Sequence, residues 1–233
     1  YRLRIFTPSR EIPFAGHPTI GSAHAVLETG FARSIDGRLV QECGAGLLPI
    51  RVEGDCEMRT LFVQAPAARV LEQDARDTAL LRPVLGDCRL GALPPAFVEG
   101  GRRWWIAEFA DETELRAWQP DHAAIGALAK STDSLGLCAF ARSSGDGGYE
   151  LVVRAFPAGV GIVEDPASGA ANGLIAAWIA HSEPEGALAR GYRVSQGREI
   201  GRDASILIRI EGSEVWVGGS THTIIDGHAE WPG

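Results

Sequence analysis

The sequence has little of what marks a membrane protein or a nucleic-acid-binding protein. Across its 233 residues, no apolar run approaches the roughly 20 residues that a membrane-spanning helix needs, and no signal-peptide pattern opens the chain. Lysine and arginine number 22 against 30 aspartates and glutamates, so the formal charge is −8. Nucleic acids and anionic membranes attract basic surfaces. We therefore expect neither of them as a partner.

Cysteine is also scarce, and the histidines include no H-x-x-x-H pair. The cysteines are Cys43, Cys56, Cys88 and Cys138. They include no C-x-x-C pair, which is typical of thiols in a reducing cytosol. His17 and His24 are seven residues apart and could share a helical face, but a metal site would need a third nearby ligand. We expect a cytoplasmic protein with no metal site.

What the sequence does have is glycine and proline in quantity, together with an internal repeat. The 29 glycines and 13 prolines imply many tight turns, which argues against a helical bundle or a coiled coil. Residues 4–27 and 154–175 both begin Arg-x-Phe, cross a short loop and reach a polar residue before proline. These pairs are His17-Pro18 and Asp165-Pro166, and an apolar run with a helical pattern follows each of them. A repeat of about 150 residues suits two similar domains facing each other.

The two polar-proline pairs predict the starts of two helices. Proline suits the first helical turn because its missing N–H would be unpaired there anyway, so we expect His17 and Asp165 at or just before the N-caps. The first amides of a helix have no partner within it, and together with the helix dipole they form an anion site. Two such helix starts facing across a cleft would bind a carboxylate and place one acid/base group on each side of a substrate carbon.

The remaining patterns are typical of a β-rich α+β protein. The predicted strands are 104–109, 135–142, 149–156, 205–210 and 214–217. A Ser-Ser-Gly-Asp-Gly-Gly turn between the second and third of them predicts a hairpin. Helical patterns after acidic starts predict helices over 111–118 and 121–130. We place the domains at 1–115 and 116–233.

The motifs at the two helix starts resemble those of the PhzF-like (phenazine biosynthesis, PhzC/PhzF) family. They are Phe14-Ala15-Gly16-His17-Pro18 and Glu164-Asp165-Pro166-Ala167-Ser168-Gly169. The resemblance covers essentially the whole chain, including the segments at 4–8, 197–202 and 215–220. It implies a diaminopimelate epimerase-like α+β fold. In that fold, two pseudo-symmetric domains of mixed β-sheet each surround a central helix, and the site lies between them.

The resemblance further implies a cofactor-independent isomerase that forms a homodimer. A carboxylate takes a proton from carbon, and the same group or a neighbour returns it elsewhere, which moves a double bond on a small carboxylate-bearing substrate. His17 and Asp165 occupy positions that the family uses for substrate contact and proton handling. The residues expected to bind the substrate are Gly16, Ser168, Gly169, Ala170 and Ala171.

Departures from the family's pattern keep other interpretations open. The family's main general base is a glutamate in a Ser-Glu-Thr-like stretch ahead of Arg-x-Phe-Thr-Pro. The sequence begins too late to contain it, and the repeat predicts a strand pair upstream of Tyr1. In the second motif Ser168 replaces a threonine and Ala170 replaces a serine. The alternatives are an epimerase or racemase on the same fold and a noncatalytic small-molecule-binding protein.

Two glutamates near the motifs need separate interpretations. Glu164 is adjacent to Asp165 and is a second candidate for the acid, although neighbouring side chains diverge. Glu11 lies in the loop before the first motif and is predicted to be solvated or salt-bridged.

Overall fold

The chain folds into two compact units in a computed structural model. The structure describes residues 1–6, 11–54, 58–73, 75–145 and 147–228. One unit is Tyr1–Val63 with Gly218–Gly233, and the other is Gln64–Val217. Cys56, the Thr7-Pro8 pair and the turn residue Asp146 lie outside the described residues. The expected boundary between residues 115 and 116 falls inside the second unit and stays a prediction.

The first unit is a small antiparallel sheet with one helix. Its elements are β1 (Ile5–Phe6), β2 (Glu11–Ile12), α1 (Gly16–Glu28), β3 (Arg38–Cys43), β4 (Gly46–Glu53) and β5 (Thr60–Gln64). β1 pairs with β2, and β4 pairs with both β3 and β5. Ala23 of α1 is buried against Leu39, Ile50 and Leu61 of the strands. The predicted apolar run after His17-Pro18 is therefore a helix that packs on this sheet.

The second unit is a larger mixed sheet. Its elements are β6 (Arg69–Leu71), α2 (Ala75–Leu85), β7 (Ala96–Gly100), β8 (Arg102–Glu108), α3 (Glu112–Ala117), α4 (His122–Ser131), β9 (Leu137–Arg142), β10 (Leu151–Phe156), α5 (Gly169–Ser182), β11 (Gly191–Gln196), β12 (Ala204–Glu211) and β13 (Glu214–Ser220). The strand order is β13-β12-β11-β10-β9-β8-β7-β6. β8 runs parallel to β9 and β10 runs parallel to β11, whereas β9 and β10 are antiparallel.

Helix α5 is the centre of this unit. It is apolar on every side, which is typical of a helix buried in a core. Leu174, Ile175 and Ile179 are buried in one cluster with Ile106 of β8 and Ile208 of β12. A second apolar cluster includes residues of α2, α4, β8 and β10. The expected arrangement of a mixed sheet around a central helix is confirmed for this unit.

The predicted hairpin and helices of the second unit are also confirmed. Asp111 and Asp121 are the N-caps of α3 and α4, and their carboxylates accept the N–H groups of Glu114 and Ala124 at 2.8 and 2.9 Å. Such caps supply an acceptor for an amide that has none within the helix. No secondary structure was predicted for residues 65–100, and the structure places β6, α2 and β7 there.

Two glycines allow a test of this packing. Gly136 precedes β9 with a φ of 138°, and a Cβ there would lie 2.1 Å from the Phe156 carbonyl oxygen. Gly126 lies in α4, where a Cβ would meet nothing within 4 Å. We expect Gly136→Ala to lower the free energy of unfolding by about 2 kcal/mol or more. Gly126→Ala should raise it by about 0.5–1 kcal/mol. Urea unfolding measures both, and similar effects at the two positions would contradict this packing.

Candidate active site

The start of α5 differs from the sequence prediction. The helix begins at Gly169, and Ser168 is its N-cap, with Oγ accepting the Ala171 N–H at 3.3 Å. Pro166 therefore lies in the loop before the helix, so the prediction that it stands in the first helical turn is wrong. Asp165, predicted at or just before the N-cap, lies further back in the same loop. The reason is that the Asp165 carboxylate accepts an N–H within the loop, from Ala167 at 3.1 Å. An aspartate can make such a local turn as readily as it caps a helix.

Asp165 is held between the end of β10 and the start of the helix. Its N–H donates to the Ala155 carbonyl at 2.8 Å, and this bridge fixes the residue against the strand. The residue is half-buried, and Ala167 contacts one of its two carboxylate oxygens. In the described part of the chain, the other oxygen has no partner. That oxygen is therefore available to a ligand as a hydrogen-bond acceptor.

The amides that follow form the expected donor set, although only two of them are free. The Ser168 N–H donates to Gln196 Oε1 at 3.2 Å, and the Ala171 N–H is used by the Ser168 cap. Among the described residues, the N–H groups of Gly169 and Ala170 have no acceptor. Gly169 is half-buried and Ala170 is exposed. Unpaired N–H groups at a helix N-terminus are suited to hold an anion.

Cys138 is the thiol near this carboxylate, and the structure keeps it protonated. It lies on β9, opposite Ala155 of β10, and is fully buried. Burial raises the pKa of the Cys138 thiol well above its usual range, and the neighbouring Asp165 carboxylate raises it further. A thiol of this kind is a poor base and a poor nucleophile.

Glu164, the second candidate acid, is committed to an ion pair. Its carboxylate accepts two hydrogen bonds from Arg154, from Nε at 3.0 Å and from Nη2 at 2.9 Å. Both side chains are almost fully buried. Arg154 Nη1 also donates to the carbonyls of Leu115 and Trp118. This arrangement favours a structural role for Glu164 over an acid that exchanges protons with a ligand.

The first unit repeats this ion pair in an exposed form. Arg4 donates to Glu11 from Nε at 3.0 Å and from Nη2 at 2.9 Å, so the prediction of a salt-bridged Glu11 is confirmed. Each arginine also lies over the phenylalanine of its Arg-x-Phe motif, at 4.8 Å from the Phe6 ring centre and 5.3 Å from the Phe156 ring centre. The internal repeat is therefore found in the side-chain contacts as well as in the amino-acid sequence.

His17 lies in the first turn of α1, with Pro18 beside it. The helix begins at Gly16, and its N-cap is Ala15, which offers no side-chain acceptor. The first-turn prediction for Pro18 is confirmed, whereas His17 stands inside the helix and not at its cap. In the described part of the chain, the imidazole has no hydrogen-bond partner and is exposed, and the N–H groups of Gly16 and His17 have no acceptor. His17 and Asp165 belong to different units, so their pairing stays a prediction.

His24, the other histidine of this helix, has a structural role. Its Nδ1 is 2.8 Å from the Thr221 hydroxyl and its Nε2 is 3.1 Å from the Thr223 hydroxyl. Among the described residues, no cluster of three or more histidine, cysteine and acidic side chains is close enough to hold a metal ion. No helix in the same part of the chain combines the length and the hydropathy needed to cross a bilayer.

A model of the PhzC-PhzF family, described as phenazine biosynthesis-like protein, matches residues 1–230. Two curated relatives cover nearly the whole chain. The trans-2,3-dihydro-3-hydroxyanthranilate isomerase of Pseudomonas aeruginosa is 31% identical over 98% of this chain and 78% of its own. The protein named antisense-enhancing sequence 1 of Schizosaccharomyces pombe is 29% identical over 97% of this chain and 78% of its own.

Solved structures show the same fold. A PhzF-family phenazine biosynthesis protein of Bacillus anthracis superposes with a TM-score of 0.77 at 22% identity, over 94% of this chain and 77% of its own. A hydroxyproline epimerase of Agrobacterium vitis superposes with a TM-score of 0.58 at 13% identity, over 93% of this chain and 66% of its own. The expected diaminopimelate epimerase-like fold is thereby confirmed.

The two ion pairs provide a matched test of the structural role of Glu164. Glu164→Gln leaves the Arg154 charge buried and uncompensated, so we expect the free energy of unfolding to fall by roughly 3 kcal/mol. Glu11→Gln makes the same chemical change in the exposed pair and should leave stability nearly unchanged, because water already solvates both charges. Denaturant unfolding of the two variants measures the difference. Equal effects would contradict the structural role of Glu164.

Proposed function

Because the chain belongs to the PhzC-PhzF family of phenazine biosynthesis-like proteins, we propose that it is a cofactor-independent isomerase. It would move a proton, and with it a double bond, on a small carboxylate-bearing substrate. The observation that supports this most directly is the start of α5, where the free N–H groups of Gly169 and Ala170 follow the half-buried Asp165 carboxylate. Relatives named isomerases support the reaction class.

The amides are proposed to bind the substrate's carboxylate. Gly169 and Ala170 offer two free donors, and the positive end of the α5 dipole favours an anion there. Ser168 and Ala171 support this position by capping the helix. Gly16 is proposed to act in the same way at the start of α1, where its N–H is also free. Amide donors aimed at a developing negative charge would stabilise the transition state.

Asp165 and His17 are proposed to handle protons. Positioned acid/base groups contribute about 10²–10⁴-fold to proton transfer at carbon. Asp165 has one carboxylate oxygen without a protein partner in the described residues, and histidine is a common general acid or base in proteins. The resemblance assigns the first proton abstraction to a glutamate ahead of Arg4.

The quaternary and cellular assignments belong to the same proposal. We propose a cytoplasmic homodimer, which the family resemblance supports. Light scattering of the purified protein measures the mass directly, and a monomer at micromolar concentration would contradict this assignment.

The central test is proton exchange between substrate and solvent. The first compound to try is trans-2,3-dihydro-3-hydroxyanthranilate, named for the relative from Pseudomonas aeruginosa, followed by other unsaturated cyclic carboxylates. In D₂O, we expect deuterium to enter the product while a double bond moves. Deuterium at a stereocentre without bond movement would favour an epimerase instead. Binding without exchange would favour a noncatalytic protein.

Variants assign the acid/base roles. Asp165→Asn keeps the oxygen that accepts the Ala167 N–H, so the loop is preserved while the proton-transfer group is lost. We expect this variant and His17→Gln each to lower kcat by about 10²-fold or more, measured by substrate turnover.

Matched controls exist on the surface. Asp226→Asn and His228→Gln make the same chemical changes at exposed positions and should leave turnover unchanged. If Asp165→Asn and His17→Gln kept full turnover, the assignment of these two residues would be wrong.

A further inference from the structure

We propose that Gln196 is a positioning residue for this site, an inference that deepens the proposed function and rests on it. Gln196 is the last residue of β11 and is completely buried. Its Nε2 donates to the Asp165 carbonyl at 2.7 Å. Its Oε1 accepts the Ser168 N–H at 3.2 Å and Asn172 Nδ2 at 2.8 Å. One amide thus holds both the loop that carries Asp165 and the first turn of α5.

Only a neutral amide of this length satisfies all of these partners. It donates at one end and accepts at the other. A carboxylate could accept from Ser168 and Asn172 but could not donate to Asp165, and it would add a negative charge close to that residue. An aliphatic side chain would leave the Asp165 carbonyl and the Ser168 N–H without partners where water is excluded, which is unfavourable.

The hydrogen bond from Gln196 completes the fixation of Asp165. The Asp165 N–H is already held by Ala155 of β10, so the residue is fixed by a different strand on each side of its Cα. Gly197 follows with a φ of 90°, and a Cβ there would lie 2.6 Å from the Pro166 carbonyl oxygen. The end of β11 therefore lies directly against the loop. A fixed backbone at Asp165 limits the positions that its carboxylate can reach, and proton transfer depends on such positioning.

The first half contains a corresponding glutamine. Gln41 of β3 is also completely buried, and its Nε2 donates to the Thr19 hydroxyl of α1 at 3.1 Å, while its Oε1 accepts from the Tyr1 hydroxyl at 2.8 Å. Thr19 stands two residues after His17. In both halves the glutamine that follows the helix in sequence thus returns to bond the start of that helix. The recurrence argues for a positioning role over simple core filling.

The first experiment needs no substrate. Hydrogen exchange of the backbone amides is measured by NMR on the unmodified protein and on Gln196→Met. This variant removes every hydrogen bond of the Gln196 side chain. Gln196→Glu, which keeps the size and the acceptor oxygens but loses the donor, is measured beside it. We expect exchange at Ala167 and Ser168 to accelerate at least about tenfold in both variants while β10 keeps its protection. Gln119→Glu, the same change at an exposed residue, should alter none of these rates.

The second experiment separates positioning from folding. In the turnover assay, we expect kcat per folded molecule to fall about 10²-fold in Gln196→Glu, with a smaller change in KM. A merely structural role would lower only the folded fraction, measured by circular dichroism. Unchanged amide exchange, or wild-type kcat per folded molecule, would overturn the proposal.

The two experiments keep the separate hypotheses apart. If Gln196→Met does not fold, both experiments are made on Gln196→Glu, since it keeps the size and the acceptor oxygens of the side chain. If the unmodified protein turns over no substrate, the proposed isomerase function fails, and the exchange rates alone decide whether Gln196 positions the loop.

Discussion

The candidate site depends on how residues 164–172 satisfy their polar groups, since several of these residues are buried. The segment leaves a sheet and enters an apolar helix, so it cannot rely on a continuous strand ladder or on helical bonds for its first amides. Side chains supply the missing partners: Arg154 for Glu164, Gln196 for Asp165 and Ser168, and Ser168 for Ala171. The amides left over are those of Gly169 and Ala170. The other polar groups named here bond to the protein, so the N–H groups of Gly169 and Ala170 are the ones in this turn that a ligand can use.

The internal repeat shows which of these solutions recur. An arginine that binds a glutamate with two hydrogen bonds and lies over a phenylalanine occurs in both halves, and so does a buried glutamine bonded to a helix start. The energetic weight differs between the halves, because the Arg154 pair is almost fully buried and the Arg4 pair is largely exposed. The same contacts therefore contribute to the free energy of unfolding in the half that contains Arg154, and they contribute little to it in the half that contains Arg4.

Much of this structure could be predicted from sequence, and the failures have a physical pattern. The helices predicted over 111–118 and 121–130, the hairpin and the apolar α5 are encoded by neighbouring residues, so local patterns were sufficient to predict them. Asp165 was placed at or just before the N-cap, and Pro166 in the first helical turn, because an aspartate before proline has the same local signature in a cap and in a turn. The hydrogen bond from Gln196 to Asp165 joins residues 31 positions apart in the sequence. A pattern of neighbouring residues therefore cannot predict it. The glutamine was visible in both halves, but its partner depended on the fold.

The chemistry of the two candidate acid/base groups bears on which isomerisation this fold performs. An epimerase that inverts one centre takes a proton from one face and returns it to the other, so its two groups work best when their basicities match. An imidazole and a carboxylate differ in intrinsic pKa by more than two units, by the values of model peptides. Under the proposed function, these two groups relay and return a proton that another base abstracts, and those roles do not require matched basicities. The inert Cys138 thiol and the ion-paired Glu164 add no matched second base near Asp165. These features agree with the proposed proton shift with bond movement.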